Sequence, residues 1–140
     1  MRIGELARSA GVTVKAVRYY EAAGLIRPGR MENGYRDYDE RQVRLVREIH
    51  ELGALGIRVE ATRPFLDCLI AGNGQADDCP DSVTAYRDAI VETDERIAAL
   101  TARRNALAAL LASADARGIP RCEYDGADPT ARDTQEQGAS

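Results

Sequence analysis

Aromatic side chains are scarce in this chain of 140 residues, which has no tryptophan and one phenylalanine although hydrophobic residues make up 44% of it. A core built from such a composition is aliphatic and thin. Helical proteins with a small core of their own are commonly stabilised by packing against a second chain. The composition therefore favours a mainly helical protein that pairs with another copy.

Long apolar runs are also missing, since no stretch approaches the ~18 consecutive apolar residues of a membrane-spanning helix. The chain opens on an amphipathic helical pattern, with Ile3, Leu6 and Ala7 on one face, and not on a signal peptide. We therefore expect a cytoplasmic protein. In that compartment its three cysteines are more typical of free thiols, metal ligands or redox sites than of a structural disulfide framework.

The motifs of common enzyme classes are absent from the sequence. It contains no phosphate-binding loop, no H-E-x-x-H motif and no recognisable pairing of a nucleophile with a base. We therefore expect a protein that is not an enzyme.

Charge is unevenly distributed around the formal net charge of -4. Residues 1–65 carry twelve basic and nine acidic side chains, whereas residues 66–140 carry seven and fourteen. A basic first half and an acidic second half indicate that only the first half meets a polyanion such as nucleic acid.

Two short helices joined by a tight turn are predicted at the N-terminus. The first ends at Gly11, and Thr13 then caps a second helix that runs to Gly24. This arrangement is typical of a helix-turn-helix. The spacing alone is equally compatible with any small helical hairpin.

A β-hairpin, or wing, is predicted to follow, because Asn33-Gly34 is a strong signal for a tight turn between residues 25–30 and 35–38. Its Arg and Tyr side chains suggest a surface for a ligand, and a merely solvated hairpin is the alternative. Asp39 caps a third helix, a fourth runs from about Val59 to Ala71, and residues 72–78 read as a flexible acidic loop.

A long helix is predicted over residues 79–114, where apolar residues follow a heptad pattern broken at Thr93 and Arg104. Such a helix would be ~50 Å long. Packing along its own chain is the alternative, but residues 1–71 offer too little apolar surface to cover that length. We therefore predict homodimerisation through Val83, Tyr86, Ile90, Ile97, Leu100, Leu107 and Leu111.

The predicted domain organisation has four parts. Residues 1–71 form a winged helix-turn-helix DNA-binding domain, 72–78 a linker loop and 79–114 the dimerisation helix. Residues 115–140 hold a candidate effector loop and a tail whose composition is typical of disorder.

Several blocks of the sequence resemble the N-terminal domain of MerR-family regulators. They are Ile-Gly-Glu-Leu-Ala at 3–7, Val-Arg-Tyr-Tyr-Glu at 17–21, Gly-Leu-Ile at 24–26, and Glu-Asn-Gly-Tyr-Arg at 32–36 with Tyr38. The resemblance covers about residues 1–70, and the long helix fits the family's antiparallel dimerisation helix. It implies a homodimer that binds double-stranded promoter DNA, bends and untwists it, and so lets RNA polymerase engage the promoter.

The DNA contacts follow from the pattern and the resemblance together. The helix over residues 14–23 would enter the major groove with Lys15 and Arg18 on one face, and the wing would grip the backbone or an adjacent minor groove. Packing within the protein is the alternative for Arg18 and Tyr20. The candidate contacts are Thr13, Lys15, Arg18, Tyr19, Tyr20, Arg30, Asn33, Gly34, Tyr35, Arg36 and Tyr38.

The cysteines are the candidate effector site. The resemblance implies a metal ligand at Cys79, and an antiparallel dimer would bring it near Cys122 of the second chain. Two thiolates suit Hg(II) or Cu(I), or would form a redox-sensitive disulfide between subunits. The alternatives are a small organic ligand, or an architectural DNA binder with no effector. Cys68, which lies between leucines, is expected to be a small core residue.

Overall fold

The computed structural model describes residues 1–118, which form helices and one small sheet. Met1–Glu95 form one compact unit, and a second unit begins at Arg96. The elements in chain order are α1 (Ile3–Ala10), α2 (Val14–Ala22), β1 (Gly29–Arg30), β2 (Arg36–Asp37), α3 (Glu40–Ala54), a 3₁₀ helix (Val59–Thr62), α4 (Arg63–Ile70) and α5 (Pro80–Ala116).

The helix-turn-helix forms where local signals predict it. Gly11 ends α1 with a φ of 73°, a left-handed conformation that suits glycine. Two residues later the Thr13 hydroxyl accepts a hydrogen bond of 3.1 Å from the Ala16 amide and so caps α2.

The wing is a two-stranded antiparallel ribbon in which Gly29 pairs with Asp37 and Arg30 with Arg36. Its turn is closed by Gly34, whose φ is 83°, and by the Asn33 side chain, which accepts from the Tyr35 amide at 3.2 Å. Both strands are shorter than predicted. Leu25 and Ile26 are buried in the core instead of extending the first strand, and Tyr38 is buried and donates its amide to the Met1 carbonyl instead of extending the second.

The third helix begins as predicted, with Asp39 and Gln42 in a reciprocal capping box. The fourth differs: residues 59–62 are a 3₁₀ helix, and the α-helix starts only at Arg63. Pro64 lacks an N–H and cannot bond back to the preceding turn, so that turn is closed by the shorter 3₁₀ pattern.

The core lies between these helices and is aliphatic, as the composition predicts. Helix α1 packs against α2 and α3, and α3 packs against α4 and the 3₁₀ helix. Its fully buried apolar side chains include Leu6, Val17, Ile26, Val46, Ile49, Phe65 and Leu66.

The loop at 72–78, which was predicted to be flexible, makes several hydrogen bonds in the structure. Ala76 is buried, and its carbonyl accepts a hydrogen bond of 2.6 Å from the buried hydroxyl of Ser82. Arg44 donates to the Gly74 carbonyl, and the Asp78 carboxylate accepts from the Gln75 amide at 2.9 Å.

Helix α5 begins one residue and ends two residues later than predicted. In the first unit its N-terminal part packs on the core through Ala85, Tyr86 and Ala89. In the second unit Ile97, Leu100, Leu107 and Leu111 are all more than half exposed. Within residues 1–118, no helix is long and apolar enough to cross a membrane.

Candidate DNA-binding surface and thiol pair

The exposed face of α2 presents two basic side chains near its start. Lys15 and Arg18 are both exposed, whereas Val17 between them is completely buried. Because residues three apart lie on one side of a helix, burying Val17 turns both cations outward. This is the placement that a recognition helix needs to reach base edges and phosphates.

An open cleft of about 510 Å³ lies beside this face and is lined by Arg2, Arg18, Glu21, Tyr35 and Arg36 among others. Arg2 was not predicted to belong to the site. Its guanidinium carbon lies 5.6 Å from the centre of the Tyr35 ring, in cation–π contact. No local pattern could have revealed this, because it depends on the wing folding back towards the start of α1.

Glu21 connects α2 to the wing. Its carboxylate accepts hydrogen bonds from the Arg36 Nε at 2.8 Å and from the Tyr38 hydroxyl at 3.1 Å. The hydrogen bond and the charge of Glu21 raise the pKa of Arg36. Arg36 is exposed enough to meet DNA while Glu21 sets its orientation.

Two tyrosines predicted as DNA contacts are core residues instead. Tyr38 is 1% exposed, and its pKa is raised by burial and by Glu21. Tyr20 is 8% exposed, and burial raises its pKa as well. Tyr20 faces inward because the core-facing side of α2 repeats from Val17 to Tyr20, and Tyr38 is drawn in by its bond to Glu21.

Tyr19 is exposed, but its hydroxyl donates to the Glu60 carboxylate at 3.0 Å. This hydrogen bond raises the pKa of Tyr19 and contributes to lowering the pKa of Glu60, after a backbone hydrogen bond. A phosphate contact by Tyr19 would have to replace this bond.

The remaining predicted contacts are exposed and also serve the local fold. Arg30 donates to the Gly34 carbonyl across the wing turn at 3.2 Å, Asn33 closes that turn and Thr13 caps α2.

Four other arginines hold the fold together instead of facing a ligand. Each donates to a backbone carbonyl of a distant segment: Arg41 to Ile70, Arg44 to Gly74, Arg47 to Ser9 and Arg63 to Gly24. Three of these carbonyls, those of Ser9, Gly24 and Ile70, lie at or just beyond helix ends, where intrahelical partners are missing. Part of the basic excess in residues 1–65 is therefore structural.

Cys68 and Cys79 form a disulfide in this structure, with their Cα atoms 5.8 Å apart. Cys68 on α4 is 2% exposed, as expected of a core residue, but its bond to Cys79 was not predicted. The Asn73 amide donates both to the Cys68 carbonyl at 2.9 Å and to the Cys79 sulfur at 3.4 Å. Cys122 lies outside the described residues.

The described residues do not fit a soft metal ion in this state. A disulfide sulfur is not a thiolate, and thiolates are the ligands that such ions select. Within residues 1–118 no group of three or more His, Cys, Asp or Glu side chains is placed to hold a metal.

The predicted dimerisation residues divide into two groups. Tyr86 is partly buried: it packs on Phe65 of its own chain, with ring centroids 5.0 Å apart, and donates to Asp77 at 3.2 Å. The other predicted positions are exposed: Val83, Ile90, Ile97, Leu100, Leu107 and Leu111.

Comparisons with known proteins agree on one family. The family model described as "MerR HTH family regulatory protein" matches residues 1–67. The chain is 34% identical over 122 residues to the HTH-type transcriptional regulator HmrR of Rhizobium leguminosarum bv. viciae, covering 87% of this chain and 92% of that protein. It is 29% identical over 111 residues to CueR of Escherichia coli, covering 79% and 80%.

Among solved structures, the fold is similar to that of the transcription regulator PbrR691 from Ralstonia metallidurans CH34, whose crystal structure is a complex with lead(II). The TM-score is 0.69 at 26% identity, and the match covers 89% of this chain and 92% of that one.

Proposed function

The chain belongs to the MerR family of helix-turn-helix regulatory proteins, and we propose that it binds promoter DNA as a homodimer and controls transcription by distorting that DNA. It is a DNA-binding transcriptional regulator and not an enzyme. The proposal rests chiefly on one observation: Arg18 of α2 and Arg36 of the wing line one cleft together with Arg2.

The proposed division of labour follows the geometry of this surface. Lys15 and Arg18 on α2 read base edges in the major groove. Arg2, Arg30, Tyr35 and Arg36 contact phosphates and set the register of the protein on the duplex. Tyr20 and Tyr38 support these side chains from the core and do not touch DNA.

A binding assay on the full chain tests these assignments. The operator is first obtained by selection from random duplexes, and affinities are then measured for R18A, R30A and the control R103A, whose arginine is exposed on α5. R18A should lose about 1–3 kcal/mol of binding free energy and become less selective for its base. R30A should bind every DNA sequence more weakly, by about the same factor, and its affinity should depend less steeply on salt concentration. An R18A protein that keeps full affinity and specificity would exclude α2 as the reading helix.

Distortion and dimerisation are proposed together. The apolar side chains exposed on α5 would pair two chains and set two DNA-binding heads at a fixed separation. Bending and untwisting the promoter would then let RNA polymerase engage it in the cytoplasm, where we place the protein. Chemical footprinting of the selected operator should show hyperreactive bases at its centre. A footprint without distortion in any state would leave DNA binding intact and contradict this mechanism.

We propose in addition that the effector is a soft metal ion such as Hg(II) or Cu(I). The thiolates of Cys79 and of the partner subunit's Cys122 would bind this ion. This requires Cys79 to be reduced. The support is the relationship to PbrR691, whose crystal structure contains lead(II).

Native mass spectrometry of the reduced chain tests the thiol proposal against Hg(II), Cu(I) and Zn(II). Wild type and C68S should gain metal, and both C79S and C122S should lose it. If C122S retains the ion while C68S does not, Cys68 and not Cys122 is the second ligand. If no ion binds at all, the effector is not a metal and the DNA-binding function stands.

A further inference from the structure

We propose that Cys68 and Cys79 are a reversible dithiol–disulfide pair, a redox site within one chain that controls whether the Cys79 thiol is available. This pairing shares Cys79 with the proposed Cys79–Cys122 site and is an alternative to it. Its first support is geometric: the Cα separation of 5.8 Å lies within the range of about 4.4–6.8 Å that disulfides adopt.

The environments of the two sulfurs differ in the way that a redox pair requires. Cys79 is partly exposed and immediately precedes α5, so an oxidant or a reductant can reach its sulfur. Cys68 is buried beside it and would act as the resolving thiol. The Asn73 amide donates to the Cys79 sulfur at 3.4 Å and holds it in place beside Cys68.

Hydrogen bonds hold the loop between the cysteines in addition to the disulfide. Arg44, Ser82 and Asp78 each bond to it, and Asn73 is anchored on the Cys68 carbonyl. These bonds keep the two sulfurs adjacent when the disulfide opens. The reduced chain should therefore stay folded and be ready to close the bond again, which is what reversibility needs.

The chemistry balances with a hydroperoxide as oxidant. The Cys79 thiolate attacks one peroxide oxygen, the O–O bond breaks, and hydroxide leaves and is protonated to water, which leaves a sulfenic acid. The Cys68 thiol then attacks the Cys79 sulfur, the S–O bond breaks, and a second water forms. Two thiols and one hydrogen peroxide give one disulfide and two waters. A dithiol reverses the reaction by attacking first the Cys79 sulfur, which is the more accessible of the two.

The consequence concerns the effector. A Cys79 sulfur bonded to Cys68 cannot act as a thiolate ligand, so oxidation would close the proposed metal site. This consequence rests on the proposed function, whereas the redox pair itself does not.

Thiol counting on the full chain tests the pair. The protein is reduced, freed of reductant, treated with hydrogen peroxide, denatured and alkylated, and its mass is recorded. Wild type should fall from three free thiols to one, C122S from two to none, and dithiothreitol should restore both. A protease that cleaves on the N-terminal side of aspartate cuts before Asp77 and Asp78 and so places Cys68 and Cys79 in different peptides. In the oxidised protein these two peptides should be recovered joined by a disulfide.

The variants at Cys68 decide the outcome. C68S, or C68A should the serine variant fail to fold, should leave a sulfenic acid on Cys79 that dimedone traps. A Cys79–Cys122 crosslink between chains in wild type, or three thiols unchanged by peroxide, would overturn the proposal. Because this assay contains no metal, it can succeed while metal binding by the reduced chain fails, and the reverse.

Discussion

At the scale of single residues, the carboxylate of Glu21 determines how the wing meets the recognition helix. It holds Arg36 and Tyr38 at once, so a cation that faces DNA and a tyrosine that belongs to the core share one acceptor. Charged hydrogen bonds of this kind orient side chains more strongly than neutral ones. Positions that look alike in the sequence therefore differ in role according to which partner they meet.

The first prediction concerns the Tyr38 hydroxyl. Tyr38→Phe removes one donor to Glu21 inside the core and should lower the free energy of unfolding by about 1–2 kcal/mol. Urea denaturation measures the change. Tyr35→Phe is the matched control, because Tyr35 is exposed on the wing and its variant should be as stable as wild type. Equal losses in the two variants would contradict the buried role of Tyr38.

A second prediction concerns Glu48 on α3, whose pKa is raised by partial burial and by the negative charges of Glu51 and Asp77. A raised pKa means that the folded state binds the proton more tightly than the unfolded state, so the charged form costs stability at neutral pH. As the pH falls, Glu48 is protonated first in the folded state, at its raised pKa, and then in the unfolded state, at its ordinary pKa. Below the ordinary pKa both states are protonated and the cost is gone.

Glu48→Gln should therefore raise the thermal midpoint at pH 7, by the equivalent of ~0.5 kcal/mol or less, and bring no gain below about pH 4. Glu32→Gln on the exposed wing turn is the control. Scanning calorimetry at both pH values measures the difference, and a gain that is the same at both would exclude a charge effect.

At the scale of the element, helix ends carry much of the local specificity. Helix α2 has only nine residues, which is too short to be stable on propensity alone, so its cap and its packed face must define it. The start of α4 also depends on a single residue near the helix end. There Pro64 favours a 3₁₀ turn before the α-helix begins. Boundaries that depend on such features are predictable only where the local signal is strong.

A third prediction follows for the cap of α2. Thr13→Ala removes the acceptor of the Ala16 amide and should cost about 1 kcal/mol of stability. Thr13→Ser keeps the hydroxyl and should recover most of the loss. Thermal unfolding of the three proteins gives the comparison, and a serine variant no better than alanine would show that the threonine methyl group matters more than the cap.

At the scale of the whole molecule, the apolar side chains exposed on α5 require an explanation, since Ile97, Leu100 and Leu107 are each more than half exposed in one chain. Large exposed apolar surfaces mark interaction sites. Because the heptad pattern places these side chains along one seam, a second copy is the partner we propose for them.

The fourth prediction tests that seam. The double variant Leu100→Glu, Leu107→Glu should weaken dimerisation at least ~100-fold, because each apolar side chain contributes ~1.5–3 kcal/mol when buried. Val91→Glu is the control, since Val91 is exposed on the same helix but lies off the heptad positions. Sedimentation equilibrium measures both variants. If the Val91→Glu control dissociates as readily as the double variant, the dimer interface does not lie along the heptad positions.

Local signals in the sequence were enough to predict the helix-turn-helix, the wing turn and the long helix. Glycine turns, caps and apolar periodicity act between residues a few positions apart, and such interactions form in the same way whatever surrounds them. The exposed cations Lys15 and Arg18 could be assigned to the candidate site for the same reason.

Tertiary packing alone decided the remaining features. It buried Tyr20 and Tyr38, brought Arg2 beside Tyr35, turned Tyr86 onto Phe65 and joined Cys68 to Cys79. Each of these contacts depends on how elements pack. The spacing from Val17 to Tyr20 fits one face of α2, but only the packing shows that this face is buried. The sequence by itself determined the elements and the basic recognition face, and the folded structure decided which side chains are free to act on DNA or on an effector.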